Sequence, residues 1–538
     1  REFNLRSGQF VGNSFVLPRS KQSADWLDKD TLVIARDWGP GTMTKSGYPF
    51  VVKVWKRGQP LEQAKEVFRG VETDMRTGAR TFHDGDGHQA TILIRKRNFF
   101  ENEFSLLTPE GAQRIVLPLK SEIGALLKGQ LIVELDDDWT PQASTTKVPK
   151  GSVVSLDLEA VKGDPRNLRP TVIFSPTAVE FEQEARATKN HLLVTTLANV
   201  QGRVYRYTLG ANGAWTREKL SVPENTTVHI VSTNWADDRF FLEMDGYLTP
   251  SSLLMGDAVA NSLQPAKALP PQFDSSRDMV EQCEAVSKDG TKVPYFVVRP
   301  KNIKHDGTNP TVLTAYGGFQ IATTPDYDPV VGKLWLERGG VYVEANIRGG
   351  GEFGPAWHEA GLKTHRQHIY DDFAAVAQDL VKRGITSPRH LGIIGGSNGG
   401  LLMGVEMTQH PDMWNGIAIM VPLLDMLGYE HIAAGASWVA EYGSASVPEE
   451  RAFLASISPY NQLRPDVRYP EPLIFTTTKD DRVGPVHARK FAAKMEEYHE
   501  PFFYEEIIEG GHGAGADLKE RAQTEALVYT YFSRKLMD

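Results

Sequence analysis

Residues 395–400 read Gly-Gly-Ser-Asn-Gly-Gly, and this stretch decides the fold of the C-terminal half of the chain. An apolar, strand-like run precedes it at residues 391–394, and a helix-like run follows it at residues 401–407. Strand, Gly-x-Ser-x-Gly and helix in that order are typical of a nucleophile elbow, a turn so tight that glycines must flank the serine. The hydroxyl of Ser397 would stand above a sheet edge, beside the free N–H groups of a helix start. The alternative is a plain glycine-rich turn.

A serine hydroxyl is a poor nucleophile and needs a base, which in turn needs an orienting acid. In this fold type they follow in the order Ser, Asp or Glu, His, each just past the end of a strand. Two downstream runs fit: residues 472–478 lead into Lys479-Asp480-Asp481-Arg482, and residues 502–508 lead into a glycine-rich loop around His512. We predict Ser397 as nucleophile, His512 as general base and Asp480 as orienting acid. Asp481 remains an alternative, because spacing cannot choose between neighbours.

Four other histidines follow the elbow: His410, His431, His487 and His499. His410 lies near the predicted end of the elbow helix, where a cation interacts well with the helix dipole. His487 and His499 lie in or beside an amphipathic helical pattern, which predicts solvated or capping side chains. We therefore expect structural roles for them.

Strands and helices alternate after residue 271, which indicates a mostly parallel sheet with helices on both faces. Together with the elbow, this pattern predicts an α/β-hydrolase domain over residues 271–538. A hairpin at residues 280–298 turns at Asp289-Gly290. The predicted strands that follow span residues 312–315, 341–345, 391–394, 417–421, 473–477 and 503–507, and the first predicted helix spans residues 369–381.

Residues 1–270 contain strand patterns only. Similar apolar strands recur at residues 31–34, 91–94, 130–133, 191–194 and 239–242, at an average interval of about 50 residues. Such a period without helices predicts a β-propeller of about five blades, with an array of sandwiches as the alternative. We place the domain boundary at the proline-rich stretch 265–271.

Several motifs resemble those of one family, the prolyl oligopeptidases. They are the Tyr-Gly-Gly-Phe loop at 316–319, the Asn-Ile-Arg-Gly-Gly-Gly-Glu segment at 346–352, the elbow, the segment 438–443, the Asp-Asp-Arg run at 480–482 and the glycine loop 511–515. The resemblance is dense over residues 277–538. It implies a serine endopeptidase that cleaves short peptides on the C-terminal side of proline through an acyl-enzyme.

The resemblance also implies roles for individual residues. Ser397, Asp480 and His512 match the catalytic triad, and the Tyr316 hydroxyl and the Asn398 N–H match the oxyanion hole. Arg482 matches the arginine that holds the carbonyl preceding the substrate proline. The proline pocket is matched by Phe319, Trp438, Tyr442, Val483 and the Asn398 side chain. Open alternatives are a dipeptidyl or acylaminoacyl exopeptidase, a broad esterase, a macrocyclising relative and a non-catalytic propeller scaffold.

The matched pocket residues suit a proline ring, which is apolar and uncharged and gains about 1.5–3 kcal/mol when an aromatic wall buries it. No acidic residue occurs among them, so a lysine or arginine side chain would find no partner. We therefore do not expect cleavage after basic residues.

Composition excludes several other classes of protein. The chain has 538 residues and a net charge of −9, which argues against nucleic-acid or anionic-membrane partners. No apolar run approaches the ~20 residues of a membrane span. The lone Cys283 excludes an intrachain disulfide, and no metal-ligand spacing is present, so we expect neither cofactor nor metal.

The chain begins at Arg1 without a methionine. The family usually has seven blades and an N-terminal segment, so we expect that the native N-terminus is absent and the propeller incomplete relative to the family. We further expect a cytoplasmic monomer, with a periplasmic or secreted location left open.

Overall fold

The computed structural model describes residues 1–12, 14–142, 144–513 and 515–537. Ala514, within the predicted glycine loop, lies outside the described residues. The N-terminal half of the described chain folds into five four-stranded antiparallel sheets. Their strands are Gln22–Asp28, Thr31–Arg36, Val51–Lys56 and Lys65–Arg69 in blade 1; Arg76–His83, Gln89–Lys96, Asn102–Thr108 and Gly111–Ile115 in blade 2; Ser121–Leu127, Gln130–Leu135, Val153–Asp157 and Thr171–Phe174 in blade 3; Glu180–Ala187, Leu192–Ala198, Gln201–Leu209 and Trp215–Leu220 in blade 4; and Thr227–Thr233, Arg239–Gly246, Thr249–Asp257 and Ser262–Ala268 in blade 5.

Each of the five recurring apolar strands is the second strand of its blade. Successive side chains of a strand point to opposite faces, so such a strand can pack on two neighbours. In blade 3, Leu131 joins a core shared with blade 2, whereas Ile132 joins a core shared with blade 4. In blade 4, Leu193 packs towards blade 5 and Val194 towards blade 3. This stacking confirms the predicted propeller.

The proline-rich stretch 265–271 is not wholly a linker. The last strand of blade 5 continues to Ala268, with Pro265 opposite Leu254. Because this is an edge strand, the missing N–H of proline leaves no ladder position unfilled. The connection to the second domain therefore begins at Leu269.

The second domain is built on an eight-stranded sheet, mixed at one edge and parallel elsewhere. In spatial order its strands are Asp278–Val286, Lys292–Pro300, Val341–Ala345, Thr311–Thr314, Leu391–Gly396, Gly416–Met420, Leu473–Thr477 and Phe503–Ile507. The predicted strands fall on these positions. Its α-helices are Pro329–Leu334, Gly354–Glu359, Gln367–Lys382, Asn398–Gln409, Val439–Tyr442, Pro448–Ser456, Pro459–Gln462, Val486–Glu497 and Leu518–Leu536, and the propeller contains one more at Leu158–Gly163.

Helices cover both faces of this sheet, as predicted. Val297 packs into a core with the helices Gln367–Lys382 and Asn398–Gln409, whereas the adjacent Phe296 packs into the core of the helix Leu518–Leu536. The parallel strands end at one edge of the sheet. The loops that follow them meet there, which is where ligands bind in open α/β sheets.

Candidate active site

The elbow has the conformation that its sequence predicts. Ser397 has φ 60° and ψ −116°, a strained conformation for a residue other than glycine, and it immediately precedes the helix Asn398–Gln409. A Cβ atom at Gly395 would lie 2.5 Å from the carbonyl oxygen of Gly399, and one at Gly400 would lie 2.7 Å from the Pro422 Cβ. The sharp turn therefore requires both glycines.

The loop after the last strand brings His512 to Asp480. His512 Nδ1 lies 2.8 Å from Asp480 Oδ2, and Asp480 Oδ1 accepts the N–H groups of Arg482 and Val483. Burial alone would raise the pKa of Asp480, but the His512 contact and these N–H groups outweigh burial and lower it. The Asp480 side chain is buried, whereas Asp481 is exposed. Of the two candidate acids, Asp480 is the one that contacts the imidazole.

The hydroxyl of Ser397 interacts with the Tyr316 side chain. Burial raises the pKa of Tyr316, and the interaction with Ser397 only partly opposes that shift. Within the described ranges, no hydrogen bond joins Ser397 to His512. The loop that carries His512 has positive φ at Gly510 and Gly515, a conformation that favours glycine.

The Asn398 side chain ties the elbow to its surroundings. Its Nδ2 donates to the Tyr316 carbonyl at 2.6 Å, and its Oδ1 accepts from Tyr442 Oη at 2.9 Å and Arg366 Nη2 at 2.7 Å. The Asn398 N–H, by contrast, donates to no described residue. It is one of the unpaired N–H groups of a helix start and faces no intrahelical acceptor.

The four apolar residues predicted to line a pocket, Phe319, Trp438, Tyr442 and Val483, are all buried in one core. Phe319 contacts Tyr442 edge to face at a centroid distance of 5.6 Å. The propeller adds an aromatic wall that sequence reasoning missed, because Phe99 contacts Phe319 at 4.9 Å. Phe99 follows the second strand of blade 2, and nothing in its local sequence indicates this long-range contact.

A buried acidic residue, Glu441, contacts the backbone of Phe319 from outside the set of matched pocket residues. Glu441 is fully buried. One carboxylate oxygen accepts hydrogen bonds from Arg366 Nη1 at 2.6 Å and from the Phe319 N–H at 3.2 Å. The other oxygen lies 2.7 Å from His358 Nε2. Both oxygens are thus occupied, and a basic substrate side chain would find no free acid there. The motif at 438–443 contains Glu441, but its partners are distant in sequence.

Arg482 is exposed and forms no ion pair with a described residue. It lines a cavity between the propeller and the second domain, together with Asp481 and His512. Its guanidinium is therefore available to a ligand in that cavity.

One of the other histidines differs from expectation. His487 is buried, not solvated, and its Nδ1 accepts the N–H groups of Leu424 and Asp425. Burial lowers its pKa to about 4. His410 forms the C-cap of the elbow helix, as predicted.

Among the described residues, no group of three or more His, Cys, Asp or Glu side chains is arranged to hold a metal ion. Their helices likewise include none that is long and apolar enough to cross a membrane. Cys283 is buried in the strand Asp278–Val286, and burial raises its pKa.

The fold and the site define a serine hydrolase of the α/β type that carries a β-propeller domain. The sequence model of the prolyl oligopeptidase family matches residues 328–538, and the model of its N-terminal β-propeller domain matches residues 1–268. The chain belongs to the prolyl oligopeptidase family and is a serine peptidase.

Three relatives illustrate this membership. An uncharacterized peptidase of Sinorhizobium fredii is 49% identical over the whole of this chain, which covers 74% of that protein. The solved structure of a post-proline cleaving enzyme from Rickettsia typhi superposes with a TM-score of 0.94 at 33% identity, covering 100% of this chain and 80% of that one. A prolyl endopeptidase of Elizabethkingia meningoseptica is 36% identical over 52% of this chain and 40% of its own length.

Proposed function

We propose that this peptidase is an endopeptidase that cleaves short peptides on the C-terminal side of proline. The contact of His512 with buried Asp480, at the same edge of the parallel sheet as the elbow serine, is the observation that carries the proposal. A neutral imidazole whose Nδ1–H is held by a carboxylate presents Nε2 as a base.

Ser397 Oγ attacks the carbonyl carbon of the substrate proline as His512 takes its proton. Asp480 holds the imidazole in the required tautomer and stabilises the imidazolium. His512 then delivers the proton to the leaving amine, the peptide bond breaks, and the proline carbonyl remains as an ester on Ser397. Water, deprotonated by the same imidazole, hydrolyses this ester.

This sequence requires His512 to reach Ser397, and no hydrogen bond joins these two side chains within the described residues. Hydrogen bonds of catalytic groups are often long in unliganded enzymes and form fully only with substrate. The glycines at 510 and 515 make the loop around His512 suited to such an adjustment.

Two donors would stabilise the oxyanion. Tyr316 is kept protonated by its raised pKa, and the N–H of Asn398 is unpaired. Donors of this kind contribute about 3–4 kcal/mol each to transition-state stabilisation. When the oxyanion forms, the Tyr316 hydroxyl and the Asn398 N–H would both donate hydrogen bonds to it.

Proline specificity is supported by the aromatic surroundings of the elbow and by the absence of a free acid there. Phe319 and Tyr442 offer an apolar wall, while the Glu441 carboxylate pairs with Arg366 and contacts His358. Arg482 would hold the carbonyl of the residue before proline. The relatives named as a prolyl endopeptidase and a post-proline cleaving enzyme support the same specificity.

The proposal is tested with fluorogenic substrates that end in proline, arginine or alanine, each with a blocked and a free N-terminus. We expect cleavage after proline with either terminus. Cleavage of free dipeptides alone would indicate an exopeptidase, and hydrolysis of nitrophenyl esters without amide cleavage would indicate an esterase. Failure of a fluorophosphonate to label Ser397 would indicate a scaffold without activity.

The propeller is proposed to restrict entry to unfolded peptides. A folded domain that contains exposed proline should remain intact, whereas the same domain after denaturation and digestion into short peptides should be cleaved. Equal cleavage of both forms would contradict the size restriction.

A further inference from the structure

A cavity of about 810 Å³ separates the first three propeller blades from the loop that carries His512. The peptidase domain contributes only Asp481, Arg482 and His512 to its walls. Since His512 lines this space, a peptide that occupies it lies beside both the proposed catalytic imidazole and the propeller residues that form the rest of the lining.

The charges of this lining are unbalanced. It contains five cations and two acids, and so carries a net charge of +3, although the chain as a whole carries −9. The cations are Lys21, Arg76, Arg80, Lys96 and Arg482, and the acids are Glu122 and Asp481. Within the part of the chain that the structure describes, no salt bridge joins any of these five cations to a carboxylate.

The strand register of blade 2 places two of the cations face to face. Arg76 lies directly opposite Lys96 in the antiparallel ladder. Like charges in such a pair are destabilising, so this pair does not contribute to holding the blade together. Arg80 lies four residues after Arg76 on the same strand and therefore on the same face.

The acid in the propeller wall offsets these cations only in part. Desolvation by the surrounding protein raises the pKa of Glu122, with Lys96 and Arg80 partly opposing the shift. Burial lowers the pKa of Lys96, with Glu122 opposing the shift and Arg76 adding to it. Arg76, Arg80 and Arg482 are exposed to the cavity, and a cleft lined mainly by one sign of charge attracts groups of the opposite sign.

We propose that this cavity selects peptides that carry acidic side chains close to the proline bond to be cleaved. The inference rests on the proposed function and deepens it, because it names the class of peptide. A glutamate or aspartate beside the proline would pair with Arg76, Arg80 or Lys96 and relieve their repulsion. A lysine at the same position would be repelled by these positive charges.

The test uses internally quenched peptides with a single proline, identical except for Glu, Gln or Lys at one position. That position is moved in turn through the residues on both sides of the scissile bond. We expect kcat/KM to favour Glu over Lys by about tenfold or more at one or more positions, since a cleft of one sign raises association rates by factors of 10 to 10³. The ratio should shrink at high salt, which screens the cavity charges.

Two variants locate the effect. Arg76→Gln combined with Arg80→Gln should abolish most of the preference for Glu and leave cleavage of the Gln peptides near the wild-type rate. Lys162→Gln is the matched control, because this exposed lysine on the propeller helix pairs with Glu159 outside the cavity. That control removes a positive charge and should keep the preference.

Equal rates for the Glu, Gln and Lys peptides at every position would overturn the inference, as would a preference that survives in the double variant. If the double variant does not fold, the salt dependence of the wild-type ratio decides the question. In each of these cases cleavage after proline would still support the proposed function. Failure to cleave any proline peptide would instead contradict the proposed function itself.

Discussion

Asn398 connects the nucleophile to the rest of the site with one side chain. Its amide holds the backbone of Tyr316 and receives hydrogen bonds from Tyr442 and Arg366. An alanine at this position would leave the Arg366 guanidinium, which is 1% exposed, without one of its acceptors. The residue after the serine therefore positions the oxyanion donor and the aromatic wall together.

Tyr316→Phe tests the oxyanion donor. We expect kcat on a blocked proline substrate to fall on the order of a hundredfold, with KM changed little, because the hydroxyl acts in the transition state. Tyr498→Phe, at the C-cap of the helix Val486–Glu497, is the control. An unchanged kcat in Tyr316→Phe would remove this residue from the oxyanion hole.

Asp480→Asn and Asp481→Asn form a matched pair at adjacent positions. Asp480→Asn should lower kcat by about 10⁴-fold, because an asparagine no longer selects the Nδ1–H tautomer of His512. Asp481→Asn should change kcat by less than about tenfold, since its exposed carboxylate does not contact the imidazole. Steady-state kinetics on one proline substrate compare the two, and the reverse order would assign the orienting role to Asp481.

The sequence predicts the site residues that lie in recognisable motifs, but not the residues that support them from elsewhere in the chain. Ser397, Asp480 and His512 each follow a strand. Because parallel strands end at the same edge of a sheet, the sequence predicts that these three residues lie at one edge. Arg366 and His358 lie in no such position. Their contacts with Glu441 join segments that are 75 and 83 residues apart, and no local sequence pattern indicates such contacts.

At the scale of elements, the adjacent glycines 395 and 396 of the elbow differ in how much space a Cβ atom would have. Gly395→Ala would place its Cβ 2.5 Å from a backbone oxygen, whereas the Cβ of Gly396→Ala would meet nothing closer than 3.7 Å. We expect Gly395→Ala to lose about 1–3 kcal/mol of unfolding free energy, as overpacked sites do. Gly396→Ala should unfold close to the wild-type temperature, and thermal denaturation measures both. Equal losses would mean that the turn is not limited by this contact.

Buried propeller strands can be predicted from the sequence, whereas exposed ones cannot. The second strand of each blade carries an apolar run that packs towards the neighbouring blades, and Thr31–Arg36 is buried along its whole length. Outer strands such as Trp215–Leu220 are mostly exposed and polar, and they carry no pattern that separates them from loops. The proline content of residues 265–271 predicts a linker, whereas residues 265–268 complete an edge strand, a position that tolerates proline.

At the scale of the whole molecule, the two domains meet through scattered polar and aromatic contacts. Glu359 of the peptidase domain pairs with Lys120 and Lys150 of the propeller. On the other side, Tyr247 of blade 5 donates to Glu344 in the strand Val341–Ala345. These contacts hold the propeller over the end of the sheet where the elbow lies.

Glu344→Gln tests the pH dependence of this interface. Burial raises the pKa of Glu344 to about 7 from its ordinary 4.5, with Asp326 adding to the shift and Tyr247 opposing it. The folded state therefore binds the proton more tightly, and wild-type stability falls as pH rises from about 5 through 7. The glutamine variant never ionises there, so it should gain up to about 3 kcal/mol relative to wild type over this range.

Thermal unfolding at several pH values from about 5 to 8 measures this difference. Glu159→Gln, an exposed carboxylate on the propeller helix, is the control and should track the wild type at every pH. Parallel curves for wild type and Glu344→Gln would show that Glu344 ionises normally in the folded protein.

The central claim is that Ser397 and His512 act as one unit. The most direct measurement is kcat for Ser397→Ala, His512→Ala and the double variant on a blocked substrate cleaved after proline. Groups that act together are strongly non-additive, so each single variant should lose about a millionfold and the double variant should lose no more than either. Losses that multiply in the double variant, or near-normal turnover in either single variant, would contradict the account.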